Sequence, residues 1–136
     1  METQEIYRSF NSNKSIEELR YIMMQHKKRI QYLEEDLEFL KFLMNRDIFK
    51  SRAMNLFENL ELFKKELNKI NVARIDLLNE ISVQTDKIRV KIESKSLFCD
   101  NTFIQVVDSL EYKAHQFFTE WEYSKLQIIQ YLKSVL

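Results

Sequence analysis

Four glutamates are the chain's strongest offer of chemistry. Glu35-x-x-Glu38 and, nineteen residues further on, Glu58-x-x-Glu61 set two pairs of carboxylates at helical i,i+3 spacing. Hard oxygen ligands so arranged suit Mg²⁺. Histidine offers less, since only His26 and His115 occur. Glu111 and His115 stand at i,i+4, but the Glu-x-x-His pairs with which helical bundles hold two metal ions are absent. The single thiol, Cys99, comes just before a predicted helix start, where the helix dipole lowers a thiol pKa and the neighbouring Asp100 raises it. No histidine adjoins it in sequence, and an inert loop cysteine is the expectation. The most basic segment carries Lys87, Arg89, Lys91 and Lys95. No aromatic residue interleaves these cations, so a platform for single-stranded nucleic acid is not indicated. His26-Lys27-Lys28-Arg29 is answered about one turn later by Glu34-Glu35-Asp36, which reads as a solvated, salt-bridged face.

The four-glutamate pattern resembles the Glu-x-x-Glu … Glu-x-x-Asp arrangement of the all-α nucleoside triphosphate pyrophosphohydrolases. The likeness covers residues 35–61, and Glu61 stands where that family's pattern has Asp. It implies a Mg²⁺-dependent nucleotide hydrolase in which Glu35, Glu38, Glu58 and Glu61 hold the metal against a triphosphate. Helical phase puts all four at b or f positions, facing away from the apolar seam. No catalytic, cofactor-binding or metal residue is assigned on this basis.

The elements that must position these groups follow from composition. The 136 residues include no glycine and no proline, where average usage gives roughly nine and seven. Tight hairpins and phosphate-cradling loops need glycine, so sandwiches, Rossmann domains and P-loops are excluded, and long helices remain. Lys+Arg and Asp+Glu number 21 each, so net charge is zero. Phosphate neutralisation needs a surplus of clustered cations, which makes nucleic acid an unexpected partner, and anionic membranes gain nothing either. Zero net charge with 12% aromatic residues instead tolerates self-association. One cysteine, an acidic first turn of sequence and no apolar run near ~20 residues lead to the expectation of a cytoplasmic protein with no membrane span.

Apolar periodicity predicts an all-α, elongated antiparallel three-helix bundle, coiled-coil-like and a single domain over 1–136. The helices are expected at 15–44, 48–94 and 102–134, with residues 1–14 as an N-terminal segment in which Ile6, Tyr7 and Phe10 could form a short docking helix. Ser15 and Glu18 have capping-box spacing, and the first seam runs Ile16, Leu19, Met23, His26, Ile30, Leu33, Leu37, Leu40, Met44. A register shift at Asn45-Arg46-Asp47 predicts the reversal, with Asn45 in a left-handed C-terminal conformation and Asp47 as the next N-cap. Asn55 is a competing start signal. Residues 82–86 have low helix propensity and could bend the middle helix. At 1.5 Å per residue that helix would be roughly 75 Å long and would overshoot the start of the first by ~30 Å. His26 and His115 would then differ in height by more than ~20 Å.

Two features point to function. Outside its seam the first helix carries Tyr21, Met24, Tyr32, Phe39 and Phe42, and the middle helix adds Leu62, Val83 and Val90. Apolar residues on an outer face mark protein contacts. Arg74 is the full charge in a seam of Leu67, Ile70, Leu77 and Ile81, and is expected to form a register-fixing layer with Glu18, Glu120 or Glu122 at the level of Ser124. The expected function is a non-enzymatic protein–protein interaction or assembly module, a homodimer joined through helix faces. A Mg²⁺-dependent pyrophosphohydrolase and a nucleic-acid-associated regulator using residues 87–95 are the alternatives.

Overall fold

The computed structural model describes residues 10–93 and 101–136, with side chains over 10–90 and 103–136. They form three helices, α1 (Ile16–Met44), α2 (Leu56–Glu93) and α3 (Asn101–Val135), and no strand occurs among the described residues. Side-chain pairs give the directions. Arg29–Glu122 and Asp36–Lys125 rise together, so α1 and α3 are parallel. Glu80–Lys113 and Asn59–Tyr131 run in opposite order, so α2 is antiparallel to α3. The fold is an all-α, up-down-up three-helix bundle. Ile6, Tyr7, Cys99 and Asp100 lie outside the described residues, as does the side chain of Thr102.

Local chemistry starts α1 where the sequence says it should. Ser15 has an extended backbone (φ −72°, ψ 162°), and its hydroxyl accepts from the Glu18 amide at 3.1 Å. Glu17 and Glu18 meet the positive end of the helix dipole and Lys41 the negative end. Ser15→Ala removes the acceptor and is expected to cost about 1 kcal/mol. A urea-melt midpoint that does not move, with Ser15→Thr as the conservative control, would show that the cap is idle.

The first turn differs from expectation. Asn45 is not left-handed (φ −95°, ψ 0°); it closes α1 by donating from Nδ2 to the Lys41 carbonyl at 3.0 Å. Asp47 caps nothing, because α2 begins at Leu56 rather than at 48. The residue that stops the helix pattern is Asn55, whose φ of 57° no α-helix can pass through and which Asn tolerates better than most side chains. Residues 45–55 therefore form a loop. Its Lys50 amide donates to the Val135 carbonyl at 2.6 Å, satisfying one of the acceptors that the end of α3 leaves open.

The α1 seam is buried as phased, and on α2 so are Leu60, Leu67, Ile70, Arg74, Leu77, Ile81 and Ile88, whereas Leu56 and Phe63 are only partly buried. All of the α1 seam is inside except His26, which is half-buried, and Leu19, Met23, Ile30, Leu67, Ile81, Ile88, Val107 and Ile128 are completely enclosed in one core cluster. Each such side chain contributes about 1.5–3 kcal/mol. The middle helix is the longest, at 38 residues, and runs through 82–86 without interruption; Thr85 donates back to the Ile81 carbonyl at 2.8 Å there. At about 57 Å it exceeds the 29-residue α1 by only ~14 Å. The N-terminal segment covers part of that excess, but Phe10, 98% exposed, does not dock it. Asn11 does: it is buried, and its Nδ2 donates to Asp108 at 2.6 Å and to Glu111 at 2.8 Å on α3.

Packing is uneven. α1 lies most intimately against α2, α3 leans on α2 less closely, and α1 and α3 touch least.

Candidate interaction surface

The structure does not gather the four glutamates. Glu35 and Glu38 lie exposed on α1 about two turns before its end, while Glu58 and Glu61 occupy the first two turns of α2. Glu61 is paired with Lys64 at 3.2 Å. Among the described residues no three His, Cys, Asp or Glu side chains come together in a group able to hold a metal ion. Of the basic segment, Lys87 and Arg89 are exposed on α2, and the side chains of Lys91 and Lys95 lie outside the described residues.

His26 sits in the seam between α1 and α3. Burial pushes its pKa below the usual 6.5; Glu111 on α3 acts in the opposite sense and Arg29, one turn along α1, reinforces the depression. The shorter α2 brings the level of His115 closer to His26 than the helix-length arithmetic gives, since Glu111, one turn from His115, faces His26. His115 itself is exposed. A histidine held neutral when folded binds fewer protons than in the unfolded chain. Stability is therefore full above pH ~6.5 and falls as pH drops through the folded-state pKa. The wild-type melting temperature is expected to drop between pH 7.5 and 5.5, and His26→Leu to flatten that slope. Equal slopes in the two proteins would assign the pH response elsewhere.

The outer stripe of α1 is where the phase put it. Tyr21, Met24 and Tyr32 are exposed, as are Phe39 at 59% and Phe42 at 56%. Together they form a line along the outer side of α1, with Phe39 at its edge toward α3. Arg46 lies over the Phe42 ring, 5.3 Å from its centroid. Leu62, Val83 and Val90 on α2 are exposed too.

Beside this stripe runs a groove that the sequence reading missed. Where α1 and α3 separate, Phe39, Leu40 and Leu43 face Ile129, Leu132 and Leu136 across about 340 Å³. At its inner end the groove is closed by Lys125 with Asp36 at 3.7 Å, and further along by Arg29, whose guanidinium lies 3.8 Å above the Phe118 ring. The signal was present: Ile129, Leu132 and Leu136 keep 3–4 spacing alongside the α3 seam. The loop adds Ile48, Met54 and Phe57, all exposed at the same end of the bundle. Helical phasing from residue 48 concealed their position, because they belong to the loop and the first turn after it.

Large apolar side chains are thus exposed along the outer face of α1 and at the loop end of the bundle, and singly along α2 (Val72, Ile75, Val83, Val90) and α3 (Tyr112, Tyr123, Leu126). No protein-family model, no curated protein and no solved structure matches the chain. No helix among the described residues is long and apolar enough to cross a membrane.

Proposed function

We propose that the protein is a non-enzymatic interaction and assembly module that self-associates through helix faces as a homodimer. The observation that carries this is the exposed stripe on α1, where Phe39 and Phe42 stand more than half in solvent on a chain with no net charge. Isolated surface apolar residues need no explanation, but a continuous stripe flanked by an apolar groove does. Aromatic anchors of this kind supply most of the energy of protein interfaces. The proposal includes a cytoplasmic setting, supported by the single cysteine. Scattered placement of Glu35, Glu38, Glu58 and Glu61 leaves the metal-dependent hydrolase with less support. Solution mass tests the reading directly. Light scattering is expected to give twice the 16.6 kDa chain mass at micromolar concentration; a single-chain mass across the accessible concentration range would end it.

A further inference from the structure

The stripe on α1 has a symmetry of its own. Tyr32 stands next to its midpoint, and the residues on either side are spaced alike in both directions. Lys28 and Glu35 are equidistant from that midpoint, then Met24 and Phe39, then Tyr21 and Phe42. Glu17 lies at the start of α1, and Arg46 lies in the loop just past its end. All are exposed. Each position is therefore matched, across the centre, by a residue of complementary chemistry.

We infer that two copies of the chain pair through this face with their α1 helices antiparallel about a two-fold axis beside Tyr32. The inference rests on the self-association proposed above and fixes its geometry. In this arrangement Lys28 of each copy meets Glu35 of the second copy, giving two oppositely charged contacts. Met24 lies on Phe39, a thioether against an aromatic ring, and Tyr21 on Phe42. A parallel pairing in register would set Lys28 against Lys28 and Glu35 against Glu35, and like charges face to face repel. A two-fold contact needs only one self-complementary patch, which this stripe supplies. Its average spacing of 3.5 residues between Tyr21 and Phe42 keeps the stripe facing a partner helix over its length.

The area is sufficient. Tyr21, Tyr32, Phe39 and Phe42 are each more than half exposed, so covering them buries roughly 400–500 Å² per copy. With Met24 and the stems of Lys28 and Glu35 added, the two copies together approach the ~1,200 Å² at which stable interfaces begin.

Charge exchange tests the pairing. Lys28→Glu and Glu35→Lys each convert two attractive contacts into two repulsive ones, and each is expected to raise the dimer dissociation constant about tenfold in sedimentation equilibrium. The double variant Lys28→Glu/Glu35→Lys restores both pairs and is expected to return to within about threefold of wild type. Both residues are exposed, so the fold is not at stake. Geometry gives a second readout in a Cys99→Ser background. Tyr32→Cys should be joined across the dimer by a short bismaleimide, whereas Glu17→Cys should not, its two copies lying about 43 Å apart. A dimer indifferent to the single exchanges, a double variant no tighter than the singles, or efficient linking at Glu17→Cys overturns the antiparallel pairing while leaving self-association intact. A wild-type chain that stays monomeric overturns both.

Discussion

Phe39→Glu combined with Phe42→Glu is expected to convert the proposed dimer to monomers, raising its dissociation constant at least ~100-fold, with helicity unchanged. Phe42 projects from the side of α1 away from Leu37 and Met44, Phe39 stands at the rim of the groove toward α3, and each is more than half exposed in the single chain. Glutamate at these positions costs the fold little, because neither ring fills the core. It costs the interface a great deal. Truncating one central aromatic anchor commonly loses 2 kcal/mol or more, and here each substitution acts twice across a two-fold contact while burying unpaired charge. Light scattering and circular dichroism on the same samples separate the outcomes. Tyr112→Glu, an exposed aromatic on α3, is the matched control and should leave the mass unchanged. If the double variant keeps the dimer mass, the stripe is not the contact. If it unfolds as a monomer, Phe39 and Phe42 belong to the core and the assignment of that face fails.

Arg74→Leu is expected to raise stability by about 1–3 kcal/mol, or roughly 3–10 °C in melting temperature, without changing the assembly state. Arg74 is only 5% exposed, with Ile70 and Leu77 buried one turn either side. The carboxylates expected to meet it, Glu18, Glu120 and Glu122, are not its partners. Its Nε donates to Asn71 Oδ1 at 3.0 Å within α2, and Nη2 lies 3.8 Å from Glu34 Oε1, an ion-pair distance beyond hydrogen-bond length. Glu34 is half in solvent, so little of the lost hydration is returned. Leucine would continue the seam and remove that cost. No hydrogen bond to a carboxylate crosses between helices here, which removes the basis for a charged layer that sets register. Chemical denaturation reads the change; a loss of stability in Arg74→Leu would mean that the guanidinium is better satisfied than these distances indicate.

The partner of Arg74 shows how far the sequence could be read. Its burial was legible, because heptad phase alone places residue 74 with Ile70 and Leu77. Its partner was not, for two physical reasons. Counting α2 from 48 shifts every level on it by about two turns relative to α1, and only the left-handed Asn55 marks the later start. Side chains also lean toward their own helix N-termini, so Arg74 and Glu34, on antiparallel helices, reach toward each other across more than a turn of backbone offset. Ser124, expected beside Arg74, instead donates to Glu66 on α2 at 3.3 Å. The outer stripe was legible for the opposite reason. Tyr21, Met24, Tyr32, Phe39 and Phe42 lie on one uninterrupted helix, where phase survives any error in the loops. The groove depends on how far α1 and α3 stand apart, a quantity that periodicity within a single helix does not encode.

The uneven packing of the three helices also decides how the molecule comes apart. α1 and α2 form the closest pair, joined through residues 45–55, whereas α3 leans mainly on α2 and meets α1 least. An antiparallel pair with a short connection forms at small entropic cost, since closing a short loop restricts few conformations. On packing alone the hairpin of α1 and α2 is expected to outlast α3, which native-state hydrogen exchange would read as lower protection along α3. Opening of α3 would break the Lys50–Val135 bond that ties the loop to its end and uncover Leu40 beside the stripe. The apolar face of the partly opened chain is then larger than that of the native one, so partial opening adds sticky surface beside the native stripe.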